Sequence, residues 1–143
     1  MALSKHNKTL DMDFTSIAYP VKASAVIYGG ALVVTSTADG GFAKAGVTGE
    51  NLRVLGVAQK SVTGGATDGA VSVVCDGPIG KSGGRRLHRF KNDSAPNALT
   101  QAMIGTDAYI KDDETFTADS TGRSVGGKLR KIDGSYVWIE LAL

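Results

Sequence analysis

Short runs of hydrophobic and β-branched residues, separated by glycine or acidic residues, recur along almost the whole chain. The clearest runs cover residues 25–28, 32–35, 53–59, 70–76, 108–110, 115–117, 128–132 and 135–141. Short runs of this kind, bounded by turn-forming residues, are typical of β-strands rather than of helices. The pattern therefore predicts an all-β protein, a small single-domain β-barrel or sandwich.

Alternation within the last run predicts which side chains enter the core. Val137, Ile139 and Leu141 alternate there with Tyr136 and Trp138. Because successive side chains of a strand point to opposite faces, the aliphatic residues should enter the core together. Tyr136 and Trp138 then form either a second buried layer or a contact between subunits.

Three turns and one short helix connect the predicted strands. The Gly-Gly pair at 29–30 can take the positive φ angles of a tight hairpin turn, and the Asp-Gly pair at 133–134 is a strong hairpin signal. The acidic residues 112–114 should form an exposed hairpin tip. Residues 98–104 (ALTQAMI) are good helix formers and end at Gly105, a natural residue for a helix C-terminus, so they predict a single short helical turn.

The N-terminal segment differs from the rest of the chain, because it is polar yet has a hydrophobic residue at every second position near its end. A lone amphipathic strand is not stable in water, so it must join a sheet edge, either in its own domain or on a partner. We therefore divide the chain into an extended N-terminal arm, residues 1–19, and a β-rich domain, residues 20–143. The candidate contact residues of the arm are Leu10, Met12, Phe14 and Tyr19.

Composition limits the function classes without choosing one. Glycine is about twice as frequent as usual, with 19 residues in 143, which indicates many turns. The net charge of +2 is too small to imply binding to nucleic acid or to an anionic membrane. The single cysteine excludes an internal disulfide and a thiolate-rich zinc site. We see no secretion signal and no apolar run near the ~18 residues of a membrane span, so we expect a cytosol-like compartment.

Two motifs resemble catalytic or nucleotide-binding sequences but lack required parts. Residues 75–82 (CDGPIGKS) nearly match a phosphate-binding loop, but Cys75 replaces its first glycine and Pro78 lacks a backbone N–H group. Residues 80–84 (GKSGG) match G-x-S-x-G without the α/β alternation that a nucleophile elbow needs. Neither histidine, His6 or His88, has ligand-spaced partners. We therefore expect no enzyme activity, no small-molecule substrate, no cofactor and no metal.

A basic run spans residues 81–91, with hydrophobic residues interleaved. One interpretation is a docking patch for an acidic protein surface, where charge sets orientation and association rate. Two alternatives stay open: a solvated strand face, and a small β-barrel module that binds nucleic acid through this run. The candidate patch residues are Arg85, Arg86, Arg89 and Lys91.

Five longer stretches follow the arm in a distinctive order. They are YPVKASAVIYGGALVVTS (19–36), LRVLGVAQKSV (52–62), AVSVVCDGPI (70–79), LTQAMIGTDAYIKDDETF (99–116) and RSVGGKLRKIDGSYVWIEL (123–141). In this order they resemble a tailed-phage capsid decoration protein, also called a head cement protein. The likeness covers nearly everything after the arm and lies in the order of segments, since the family has no catalytic signature. The basic run departs from it, being more basic than the family leads one to expect.

The resemblance implies a non-enzymatic structural protein, made in the cytoplasm of a bacterial host, that ends on the outer surface of the virion capsid. Such proteins bind the expanded head and clamp neighbouring subunits of the major capsid protein, commonly as homotrimers whose N-terminal arm reaches onto the lattice. The partners implied are thus the major capsid protein and further copies of the chain. Another virion β component, such as a head-completion or tail-tube subunit, remains an alternative.

Overall fold

The structure is a computed structural model that describes Met12 and residues 14–142. Apart from one 3₁₀ turn at Gln101–Met103, its regular elements are all strands, which confirms the all-β prediction. The strands are β1 (Ser16–Pro20), β2 (Val26–Ile27), β3 (Leu32–Thr35), β4 (Lys44–Ala45), β5 (Arg53–Ala58), β6 (Val62–Thr63), β7 (Ser72–Asp76), β8 (His88–Asn92), β9 (Asp107–Ile110), β10 (Thr115–Thr117), β11 (Val125–Asp133) and β12 (Tyr136–Leu141).

Ten of these strands form two five-stranded units. The first, which we call the N-terminal sheet, has the order β1-β7-β5-β3-β4. Its two outer strands meet at a single parallel bridge between Val21 and Ala43, so the sheet is almost closed. The second, the C-terminal barrel, is closed and has the order β10-β8-β12-β11-β9. Strands β2 and β6 pair separately as a small two-stranded sheet.

The two units have the same topology. When the strands of each unit are numbered in chain order, their order in space is first, fifth, fourth, second, third. The third strand then meets the first again and closes the circle. In both units the first and third strands are parallel to each other. Every other neighbouring pair is antiparallel.

The register of the strands also matches between the units. Gly56 pairs with Val33 in the N-terminal sheet, and Gly127 pairs with Ala108 in the barrel. In each unit, the register between the two paired strands shifts directly next to this glycine. A β-bulge bends a strand and increases its twist, which suits a sheet that curls into a barrel.

Equivalent inward positions are filled by similar residues. Val73 and Val137 are both fully buried, and the next inward positions hold Cys75 and Ile139, which are also buried. Tyr19 lies opposite Val73 just as Phe90 lies opposite Val137. The alternation that the sequence predicts for the last strand is thus confirmed, because Val137, Ile139 and Leu141 are all buried.

Two hydrophobic clusters stabilise the fold, one on each face of the central strand β3. Val33 packs with the cluster inside the N-terminal sheet, whereas Leu32 and Val34 join the cluster of the C-terminal barrel. All four residues of β3 are buried. Continuous hydrophobicity is what a strand covered on both faces requires, and β3 therefore holds the two units together.

Two predicted turns differ from the structure. The chain turns at 29–30 and Gly30 has a φ of 86°, but the flanking strands do not form a hairpin. Strand β2 pairs with β6 instead, and β3 pairs with β4 and β5, so the hairpin prediction is wrong. The acidic tip at 112–114 does join the paired strands β9 and β10. It is not freely exposed, however, since the Asp113 carbonyl oxygen accepts a hydrogen bond of 2.8 Å from the Leu32 backbone N–H.

Two other predictions agree with the structure in kind and differ in extent. The helical turn is confined to Gln101–Met103 and is followed by Gly105 with a φ of 87°. The last hairpin is confirmed, because Asp133 pairs with Tyr136 and Gly134 takes a φ of 62°.

The boundary of the N-terminal arm lies earlier than the sequence suggests. Residues Ser16–Pro20 form β1, which pairs antiparallel with β7 along its whole length. Tyr19 is half-buried and packs against the cluster inside the N-terminal sheet. The last part of the predicted arm is thus the first strand of the domain's own sheet, which was one of the two alternatives.

Candidate functional site: the outer face of the C-terminal barrel

Strands β8, β12 and β11 present one continuous outer face. On β12 the inward residues alternate with Tyr136 and Trp138, which point outward. Lys91 lies opposite Tyr136 on one neighbouring strand. Trp138 lies between Arg89 on β8 and Lys131 on β11. Because directly opposite residues of paired strands share a face, these five side chains form a single cluster, which we call the barrel outer face. Asp133, opposite Tyr136 on β11, borders this cluster.

Arg89 and Tyr136 are stacked within this cluster. The guanidinium carbon of Arg89 lies 4.3 Å from the centre of the Tyr136 ring. This distance is in the range of a cation–π interaction, which holds the guanidinium in place while leaving its N–H groups able to donate. Tyr136 remains 36 % exposed.

Trp138 is half-buried between the two cationic residues that flank it. Its indole Nε1 is buried and has no hydrogen-bond acceptor among the described residues. The ring therefore contributes mainly apolar area to the face. Of the two alternatives that the sequence left open for Tyr136 and Trp138, a second buried layer is excluded for the exposed Tyr136.

The four residues of the predicted basic patch do not act as one group. Arg85 pairs with Glu140 at 2.7 Å, Arg86 with Asp76 at 3.2 Å, and Lys91 with Glu114 at 3.1 Å. Arg89 alone among the four makes no ion pair with a described residue. Cations already paired with carboxylates are less available to phosphates, which weakens the nucleic-acid alternative.

Glu140 is the acidic centre beside the barrel outer face. Its carboxylate accepts hydrogen bonds from Arg85 at 2.7 Å and from Arg130 at 3.1 Å. Burial opposes ionisation, yet the two arginines hold the pKa of Glu140 below its ordinary value. Glu140 therefore stays charged and cancels part of the positive charge at this end of β12.

A second candidate surface lies where the N-terminal segment joins the sheet. Met12 is 79 % exposed and Phe14 is 39 % exposed. The Phe14 ring lies over Gly77, where an added Cβ would come within 3.2 Å of the ring. Phe14 also lines a mainly apolar groove of about 550 Å³, together with Leu52 and Val125. Leu10, the remaining predicted arm contact, lies outside the described residues.

The sequence near the phosphate-loop resemblance folds back on itself. The Gly80 N–H donates to the Gly84 carbonyl oxygen at 2.7 Å, and the Gly83 N–H donates to the Gly80 carbonyl oxygen at 2.9 Å. The Arg86 N–H donates to the carbonyl oxygen of Pro78 at 2.6 Å. These N–H groups are thus occupied within the loop, whereas a phosphate cradle requires them to point at the ligand.

Of the remaining reactive side chains, Cys75 is buried and His88 is half-buried. Burial, with a smaller effect of Asp76, raises the pKa of the Cys75 thiol to about 12. Burial, reinforced by Arg86, lowers the pKa of His88. Within Met12 and residues 14–142, no three His, Cys, Asp or Glu side chains are grouped closely enough to hold a metal ion. The described part also contains no helix of the length and hydropathy that a membrane span requires.

Sequence reasoning missed Lys131 and the equivalence of the two units. Lys131 reaches the outer face because a bulge between Leu129 and Lys131 shifts the register of β11 against β12.

No family model, no curated protein and no solved structure matches this chain.

Proposed function

We propose that this protein is a structural virion protein that binds the outer surface of the expanded head of a tailed bacteriophage. There it clamps neighbouring subunits of the major capsid protein and so stabilises the shell. The proposal comes from the order of segments in the sequence. One structural observation supports it further: the apolar residues Met12 and Phe14 are exposed directly before the edge strand β1.

An exposed apolar segment that leads into an edge strand suits attachment to another protein. Strand β1 pairs with β7 on one side, and its other side meets a strand only at the bridge beyond its end. Edge strands offer unpaired backbone groups to which a second chain can add a strand. The groove beside Phe14 adds apolar area for such a contact.

The stabilising effect would follow from linkage. A site composed of two neighbouring capsid subunits exists only in the expanded shell, so binding lowers the free energy of that state alone. Contact with several subunits at once, and association of the clip into homotrimers, would raise the effective affinity without new contact types.

The test is cosedimentation of the purified protein with expanded heads that lack it, and with unexpanded shells. We expect saturable binding to expanded heads at a fixed ratio to the major capsid protein, and none to unexpanded shells. Equal binding to both shells, or none to either, would refute the proposal. Binding to DNA that falls steeply with salt would instead support the nucleic-acid alternative.

A further inference from the structure

The matching topology of the two units supplies an internal comparison for the barrel outer face. Residues equivalent by register have similar types at inward positions, as for Val73 and Val137. At outward positions they differ: Val74 stands where the barrel has Trp138. The same fold is thus built without an aromatic side chain at this outward position. Ala18 and Ser72 likewise stand at the positions of Arg89 and Tyr136.

We infer that the barrel outer face is the anchor of a protein–protein interface, and that its partner surface is acidic. The inference rests on the proposed function, in which that surface belongs to the capsid. Trp, Tyr and Arg are the residue types most enriched among those that dominate binding energy at interfaces. The barrel outer face contains one residue of each type. Arg89 stacks on Tyr136 and lies directly opposite Trp138 on the neighbouring strand.

Charge identifies the chemistry of the partner. Arg89 and Lys131 flank Trp138 and make no ion pair with any described residue. Of the nearby carboxylates, Glu140 and Glu114 are already paired within the chain. Asp133, opposite Tyr136, makes no ion pair with a described residue, so the two free cations exceed the free carboxylates by one. A partner that carries carboxylates would satisfy both free cations, with Arg89 held ready by its stack on Tyr136.

The same charges argue against two other occupants. A second copy packed face to face across a two-fold axis would bring Arg89 and Lys131 toward their own equivalents, and like charges at an interface oppose binding. A nucleic acid needs a series of free cations along its phosphates, and this face offers two. Both occupants are nevertheless outcomes that the experiment distinguishes.

The chain has a single tryptophan, so a probe at position 138 reports on this face alone. The protein is produced with 5-hydroxytryptophan, which can be excited where the tryptophans of the heads do not absorb. We expect its emission to shift when expanded heads are added. We also expect Arg89→Glu and Lys131→Glu each to lower the affinity for expanded heads, measured by cosedimentation, about tenfold or more.

The matched control is Lys60→Glu. Lys60 is exposed in the connection between β5 and β6, and its substitution changes the net charge by the same amount. It should bind like the unaltered protein. If heads bind, but the emission is unchanged and both variants bind normally, this inference fails while the proposed function stands. If no heads bind, both fail.

Two further titrations separate the other occupants. A shift in emission with protein concentration alone would assign the face to a second copy and overturn the inference. A salt-sensitive shift on adding oligothymidylate would assign it to single-stranded DNA, and would likewise overturn it.

Discussion

Gly56 and Gly127 occupy the same position in the N-terminal sheet and the C-terminal barrel. At each, an added Cβ would overlap the backbone carbonyl oxygen of an acidic residue on the neighbouring strand. That residue is Asp76 in the first unit and Glu140 in the second. Both glycines lie beside the bulge of their unit, so the close approach of two strands there belongs to the shared fold.

We expect Gly56→Ala and Gly127→Ala each to lower the free energy of unfolding by about 1–3 kcal/mol, because neither site can take a methyl group without backbone movement. Gly56 should be the more sensitive, since its φ of 142° is also unfavourable for alanine. Urea denaturation gives the measurement. Gly84→Ala is the control, because nothing lies within 4 Å of the Cβ it would add. Equal stability of Gly84→Ala and Gly127→Ala variants would contradict the prediction.

Val137→Ala tests the inward face of β12. The side chain is fully buried in the barrel cluster, so its truncation should leave a cavity and cost about 1–3 kcal/mol of stability. Head binding by the folded protein should not change. A variant with native stability would show that the core around Val137 is not close-packed.

Asp39 stabilises the connection between β3 and β4 in a way that depends on pH. Its side chain is 9 % exposed and pairs with Lys22 and Lys44. Hydrogen bonds from Lys22, Lys44 and Ser36 hold the pKa of Asp39 well below its ordinary value of 3.8. A lowered folded-state pKa contributes stability above the unfolded value, and that stability is lost as the pH falls.

We therefore expect the melting temperature to fall between about pH 5 and pH 2, and Asp39→Asn to reduce this dependence. At pH 7 the same substitution should cost about 1–2 kcal/mol, because it weakens hydrogen bonds from two ammonium groups. The control is Asp133→Asn, since Asp133 is exposed and forms no ion pair within the described residues. An unchanged slope of melting temperature against pH for Asp39→Asn would count against this role.

Cys75 should be inert in the folded protein. The side chain is buried and the pKa of its thiol is raised to about 12 by burial, so almost no thiolate is present at pH 8. We expect negligible reaction with a thiol-specific chromogenic reagent under native conditions and one equivalent of reaction in denaturant. Rapid native reaction would show that β7 opens readily.

Deletion of residues 1–11 should leave the domain folded and weaken binding to expanded heads. Deletion of residues 1–20 should unfold it, because it removes β1 and the packing of Tyr19. Circular dichroism checks the fold, and cosedimentation checks the binding. Unchanged head affinity after the shorter deletion would exclude a role for the N-terminal segment in attachment.

The sequence by itself determined the fold class and the faces of the longest strands. Alternation along β12 assigned Val137 inward and Trp138 outward, because a strand has a strict period of two. The Asp-Gly pair at 133–134 gave the last hairpin, since its turn geometry is local. Signals of this kind need only neighbouring residues.

Only the tertiary structure decided which strands pair when they are distant in the chain. The Gly-Gly turn at 29–30 is present, yet β2 pairs with β6, because pairing depends on what the whole core can bury. Three of the four basic patch residues are neutralised by carboxylates that are distant in the chain or on a different element, as Arg85 is by Glu140. The barrel outer face likewise depends on a bulge in β11 that places Lys131 beside Trp138.

The equivalence of the two units was also hidden in the sequence. An inward position accepts Cys75 in one unit and Ile139 in the other, because burial demands an apolar residue of suitable volume rather than a particular one. In each unit an ion pair joins a residue just after the first strand to a residue between the second and third strands. The charges are exchanged between the units: the pair is Lys22 with Asp39 in the N-terminal sheet, and Asp93 with Lys111 in the C-terminal barrel. Pairing geometry is preserved where residue identity is not, since backbone hydrogen bonds are the same for every side chain.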